Sequence, residues 1–280
     1  MSYLIIIRPV NCIFTAICVF FGATYGLPFL ISENIIYAIL SAILIAAGGY
    51  VINDVFDYEI DLINRPKRIL PRGKLSLKKA ELYAYLLLGL GLGFSILLRN
   101  IYCLIIAIIN TIFLISYAKY FKKKLLSGNL IIAFVAASTF LFGGLANGNL
   151  HNSLIITVFA LLFTLLREFT KDIEDISGDS AKGARTLATV FGKQRASLFS
   201  IIPGVSIILL INYLFSQHYL TITYFLLLNL LVSIPVIIFL IRLSATRSEK
   251  EIRMISTGMK LDMLILLILI WTGNIYENIR

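Results

Sequence analysis

Histidine and cysteine are almost absent from this 280-residue chain, at two and three residues. His151 and His218 each stand alone in a short junction between apolar runs, so no imidazole pair at ligand spacing exists and a histidine- or thiolate-held metal is excluded. Cys12, Cys18 and Cys103 all fall inside apolar runs. An odd number of thiols in that setting is no disulfide framework and reads as packing. Acidic residues are also scarce, 15 against 25 lysines and arginines. No stretch is long or polar enough for a separate water-soluble domain, and no Gly/Ser-rich linker or low-complexity tract occurs. Residues 1–280 are therefore expected to form one membrane domain. The opening MSYLIIIRPVNCIF lacks the cationic region, short apolar core and small-residue cleavage site of a signal peptide, so the first apolar run is expected to be retained.

What the chain has in excess is hydrocarbon: 59% hydrophobic residues and a mean hydropathy of +0.91. Apolar runs at 9–29, 35–52, 80–98, 101–118, 130–146, 154–166, 196–215, 220–241 and 258–271 approach or reach the roughly 20 residues that span a bilayer core. The expectation is an all-α integral membrane protein with nine transmembrane helices. Spans alternate sides, and all but two of the 25 lysines and arginines (Arg99 and Arg280) then fall on the side of the N-terminus. By the positive-inside rule that side is cytoplasmic in a multi-pass cell-membrane protein. Topology accounts for the net charge of +10, and no nucleic-acid partner is implied.

The cytoplasmic loops also hold the one internal echo. In NDVFDYEID, Asp54, Asp57 and Asp61 are spaced three then four; in KDIEDISGD, Asp172, Asp175 and Asp179 repeat that spacing. Residues three and four apart are neighbours on a helix surface, so each trio lies on one side of a helix end. Asn53 extends the first trio into an i, i+4, i+8 ladder with Asp57 and Asp61. Like charges on adjacent turns repel, and carboxylates near hydrocarbon are costly to ionise, so something must neutralise them. Oxygen ligands without His or Cys suit Mg²⁺, which keeps several waters and joins a few carboxylates to substrate phosphate oxygens. Asn53, Asp57, Asp61, Asp172, Asp175 and Asp179 are its candidate ligands. Cations complete the pattern: Arg65 and Arg68 follow the first trio, and Lys171, Lys182 and Arg185 surround the second. Metal and guanidinium together make a receptor for diphosphate. At the mouth of an apolar bundle such a receptor implies a lipid diphosphate whose allylic C–O bond ionises as the departing charge is neutralised.

These motifs resemble the UbiA superfamily of intramembrane prenyltransferases. NDVFDYEID is similar to that family's N-x3-D-x3-D motif, and KDIEDISGD to its D-x3-D motif at Asp175 and Asp179. Further similarity lies in NRPKRILPRG, in SYAKYFKKKLLSGN with Tyr117 and Lys122, in GARTLATVFG, and in nine spans covering the chain. The resemblance implies helices around a central cavity, a cytoplasmic cap formed by the loops after helices two and six, and Mg²⁺ bridging both Asp motifs through the donor diphosphate. It implies catalytic roles for Asp54, Asp57, Asp61, Asp175 and Asp179 and adds Tyr117 and Lys122 to the donor-binding set. RPVN, NDVFDYEIDLINRPKRILPRG and REFTKDIEDISGD look most like the archaeal branch, which joins geranylgeranyl diphosphate to the free hydroxyl of geranylgeranylglyceryl phosphate. Ile69 and Arg72 depart from that branch's usual residues and bear on the shape of the loop.

The residues alone do not choose the acceptor, and a prenyltransferase with an aromatic acceptor is the nearest rival. Arg8 and Asn11, at the start of the first span, offer a candidate contact for an acceptor anion. Asp54, Glu168 and Asp172 are candidate receivers of the acceptor proton. The D-x2-D-G-x2-A-R sequence of a CDP-alcohol phosphotransferase is missing. A transporter would favour ionisable groups at mid-membrane. Asp262 is the exception to their clustering at helix ends, and it is expected to pair with a nearby cation such as Lys260.

Overall fold

The structure, a computed structural model, describes residues 1–27, 32–122, 124–181, 183–246 and 248–278. Every regular element among them is helical. Eight helices are long and apolar enough to cross a membrane: Glu33–Phe56, Leu77–Leu97, Ile101–Phe121, Ser127–Ala146, Leu150–Glu174, Leu187–Ser216, Ile222–Ala245 and Glu249–Gly273. A ninth apolar helix, Pro9–Thr24, has 16 residues, about 24 Å of rise; the expected end of this first span at residue 29 lies outside the described residues.

Polar residues set the boundaries. Ser32, Ser76, Asn100, Thr186 and Thr221 each sit just before a helix and accept a hydrogen bond from a backbone N–H of its first turn, as N-caps do. Several helices overrun their hydropathy window. The sixth span, expected at 154–166, runs Leu150–Glu174; the ninth, expected at 258–271, runs Glu249–Asn278. Hydropathy stops at the first charged turn, whereas backbone hydrogen bonding carries the helix on into water. Two single wide turns, at Tyr117–Phe121 and Asn229–Ser233, interrupt the fourth and eighth spans.

The chain divides into two compact units. One comprises Met1–Tyr25, Phe29–Lys122 and Ser138–Thr157; the other comprises Gly26–Pro28, Lys123–Ala137 and Val158–Arg280. In the first unit small residues let backbones touch: a Cβ on Gly22 would lie 1.9 Å from the Phe140 carbonyl oxygen, and one on Gly143 would lie 1.9 Å from that of Val19. Spans one and five therefore cross at these two glycines, as small residues allow in membranes. The second and third spans pack through Ala47, Val51, Ala80, Ala84 and Leu87, with the buried Ser41 hydroxyl donating to the Gly91 carbonyl at 2.7 Å. In the second unit the Leu187–Ser216 helix meets the eighth span at Gly204, whose added Cβ would lie 2.8 Å from Leu240. The first acidic trio belongs to the first unit and the second trio to the second unit.

Candidate active site

The second span ends at Phe56, Asp57 follows, and a short helix Tyr58–Asn64 continues the path. Backbone N–H groups of Asp57, Asp61 and Arg65 donate to the carbonyls of Asn53, Asp57 and Asp61 at 2.9, 2.8 and 2.9 Å. The i, i+4, i+8 ladder read from the sequence is thus a continuous helical stripe. Asp54, Asp57 and Asp61 are buried, at 9%, 8% and 5% exposure, a depth at which ionised carboxylates need partners.

Three cations supply them. Arg8 Nη2 donates to Asp54 Oδ1 at 2.5 Å. Arg68 Nη1 donates to the same oxygen at 3.2 Å and to Asp61 Oδ2 at 2.5 Å. Lys122 Nζ pairs with Asp57 Oδ2 and reaches Asn53 Oδ1 at 3.5 Å, while Asn53 Nδ2 donates to Asp57 Oδ2 at 3.0 Å. Local backbone geometry delivers two of these cations. Arg8 is left-handed, with φ 54° and ψ 69°, immediately before Pro9 opens the first span, and its guanidinium lies 5.2 Å from the centre of the Tyr50 ring. Lys122 comes directly after the wide turn, its N–H donating to the Tyr117 carbonyl at 3.0 Å. One extra residue in a turn rotates the side chains beyond it by about 100° around the helix axis.

Arg8, the candidate acceptor contact, shares Asp54 Oδ1 with Arg68 although it is remote from the trio in sequence. Asn11, Arg65, Lys171 and Arg185 are exposed. Lys182 lies outside the described residues. Tyr117 is half-buried in the wide turn.

The second trio repeats the backbone pattern, with the N–H groups of Asp175 and Asp179 donating to the carbonyls of Lys171 and Asp175, both at 2.9 Å. Its neutralisation differs. Asn129 Nδ2 donates to Asp172 Oδ2 at 3.1 Å, and Asp175 is exposed. Among the described residues no ion pair reaches Asp172 or Asp175. Little more than one turn deeper than Asp172, Arg167 Nη1 donates to Glu168 Oε1 at 2.8 Å. Asn129 and Arg167 escaped the sequence reading; Asn129, in SGN at the start of span five, carries no spacing signal, and Arg167 reads as one more cytoplasmic cation.

Asp262 corrects an expectation. It does not pair with Lys260: it is 3% exposed, neither carboxylate oxygen has a partner among the described residues, and Lys260 is exposed. Residues two apart on a helix do not face one another.

The donor chemistry around Asn53, Asp57 and Asp61 fits Mg²⁺. Among the described residues no all-protein cage of three or more acidic, histidine or cysteine side chains that could hold a metal ion is present. Mg²⁺ does not ask for one, since it binds through one or two carboxylates, waters and phosphate oxygens. Oxygen donors a turn apart, with cations beside them, provide that open arrangement.

Eight apolar helices of spanning length, with carboxylates and cations gathered at the end of the second, define a multi-pass membrane protein. The chain belongs to the UbiA prenyltransferase family, whose model matches residues 12–267. It is 35% identical over 266 residues to a digeranylgeranylglyceryl phosphate synthase of Methanosphaera stadtmanae, covering 94% of this chain and 95% of that one. A solved structure concerning digeranylgeranylglyceryl phosphate synthase in membranes superposes with a TM-score of 0.87 at 35% identity, over 98% of each chain. A UbiA homologue from Archaeoglobus fulgidus, solved bound to GPP and Mg²⁺, shares the fold with a TM-score of 0.69 at 17% identity, over 98% of this chain and 99% of that one.

Proposed function

We propose that this prenyltransferase moves a geranylgeranyl group from geranylgeranyl diphosphate to the free hydroxyl of geranylgeranylglyceryl phosphate, giving digeranylgeranylglyceryl phosphate. Residues 1–280 act as one catalytic domain with its acidic trios at the cytoplasmic face, where the chain concentrates its lysines and arginines. Arg68 and Lys122, already held against carboxylates of the first trio, carry the reading. With the relatives named for this synthesis, they support a preformed head-group receptor.

Asn53, Asp57 and Asp61 on the first trio, and Asp172, Asp175 and Asp179 on the second, are the oxygen ligands for Mg²⁺. When bound, the metal neutralises charge on the departing diphosphate. Arg65, Arg68, Tyr117, Lys122, Lys171 and Arg185 bind the donor head group. Because Arg68 and Lys122 are pinned beforehand, little rotamer freedom is lost on meeting phosphate oxygens. Arg8 and Asn11 receive the acceptor phosphate. The allylic C–O bond breaks with its electron pair leaving on the diphosphate, the acceptor oxygen bonds to the same carbon, and its proton departs late. Asp54 holds two guanidinium groups and Glu168 holds one, so neither is an unengaged base, and the diphosphate can take the proton itself.

The test is product identification. Purified protein with Mg²⁺, labelled geranylgeranyl diphosphate and a panel of glyceryl phosphate lipids and aromatic acids should yield the digeranylgeranyl lipid alone. Prenylation of an aromatic acceptor instead, or no transfer at all, overturns the reading.

A further inference from the structure

Few buried side-chain polar atoms lack a partner among the described residues, and Arg167 Nε, Ser233 Oγ and both carboxylate oxygens of Asp262 are four of them. Contacts between helices place these three residues at one depth in the second unit. Spans six and nine run antiparallel: Arg253 Nε donates to Glu174 Oε1 at 3.2 Å, and the Thr170 hydroxyl lies 3.4 Å from the Met259 sulfur. Arg167 is three residues before Thr170, and Asp262 three after Met259. Each is therefore about 4.5 Å deeper than that contact, on the same side of its helix. Spans eight and nine also run antiparallel, since a Cβ on Gly258 would meet Phe239 at 2.7 Å and one on Gly273 would meet Tyr224 at 3.2 Å. That register puts Asp262 level with Pro235, within a turn of Ser233. Ser233 ends the wide turn of span eight, and Pro235 has no N–H to offer the carbonyls before it.

The buried Nε of the part-exposed Arg167, the Ser233 hydroxyl and the Asp262 carboxylate, each without a partner among the described residues, come to one level where broken backbone pairing leaves further acceptors. Buried polar groups of this kind are satisfied by ordered water. An anion is disfavoured there, because Glu168 already engages Arg167 and Asp262 adds a second acid.

We propose that Arg167, Ser233 and Asp262 enclose an internal water site that links span six to spans eight and nine. Asp262 acts in it as a positioning residue. The second acidic trio begins five residues beyond Arg167, about 7.5 Å along the same helix. The link therefore fixes the helix end that carries Asp172, Asp175 and Asp179.

The sign of one substitution tests this. For an isolated buried carboxylate, Asp262→Asn should leave thermal stability unchanged or raise it. For a water-linked one, Asp262→Asn and Arg167→Gln should each lower the unfolding midpoint of the detergent-solubilised full chain, by roughly 5 °C. Asp262→Asn should then raise the midpoint when added to Arg167→Gln, because it removes the acid that Arg167→Gln strands. Stabilisation by Asp262→Asn alone, or the same shift in both backgrounds, overturns the proposal. A second readout rests on the transferase reading: Asp262→Asn should raise the Mg²⁺ concentration at half-maximal rate several-fold, with kcat at saturating Mg²⁺ changed less. An unchanged Mg²⁺ requirement overturns the positioning role, whereas an inactive wild type with the stability cycle intact refutes only the transferase reading.

Discussion

Asp54, Asp57 and Asp61 are each met by a cation, whereas Asp172 is met by an amide and Asp175 is exposed. The two trios share a spacing and a backbone ladder, so the contrast lies in what tertiary packing brings to them. Arg8, Arg68 and Lys122 come from the start of span one, the loop after span two and the end of span four. The first trio is a closed ionic cluster whose cations are already held in place beside its carboxylates. Along the second, Asp175 stands open to a ligand. One spacing thus serves two ends: preorganised cations beside one set of carboxylates, and accessible oxygen in the other.

The largest expected effects treat the trios alike. Asp57→Ala and Asp175→Ala should each lower kcat by roughly 10²-fold or more, measured with both substrates saturating. If either variant changed only KM, that trio would serve binding and not the transition state.

Somewhat smaller effects should separate the cations. Arg68→Ala should raise KM for geranylgeranyl diphosphate by roughly 10- to 150-fold, the range of a charge-assisted contact. Arg8→Ala should act mainly on KM for geranylgeranylglyceryl phosphate, with a lesser rise for the donor because both guanidinium groups share Asp54 Oδ1. Steady-state kinetics on the single and double variants should be non-additive, as for residues in one network. Strict additivity would deny that Arg8 belongs to the first cluster.

Stability should then divide the trios. Asp57→Ala strands Lys122 in a half-buried position and should cost about 1–3 kcal/mol, a buried-pair loss reduced for partial exposure. Asp175→Ala removes an exposed side chain and should stay within about 0.5 kcal/mol. Equal shifts in thermal unfolding would erase the distinction between closed and open clusters. Asn129→Ala, which takes away the amide that meets Asp172, should fall between these two substitutions at about 1 kcal/mol, read in the same unfolding assay.

How much of this is legible in the sequence depends on the range of the interaction. The acidic ladder is readable because i, i+4 geometry is local, and the spans are readable because hydropathy integrates over about 20 residues. Arg8 reads as remote because 46 positions separate it from Asp54 and a left-handed residue aims it. Asn129 lies 43 positions from Asp172, with nothing in either local sequence to announce the bond. The wide turn that redirects Lys122 has no composition signal, and helix ends are underestimated where charged turns succeed apolar ones.

The central claim is that paired oxygen clusters act on a diphosphate through a divalent ion. The most direct measurement is single-turnover transfer from labelled geranylgeranyl diphosphate to geranylgeranylglyceryl phosphate, across a Mg²⁺ titration and in EDTA. The prediction is a saturable rise with Mg²⁺, complete loss in EDTA, and full recovery when Mg²⁺ is returned. Transfer that continues undiminished in EDTA would contradict it.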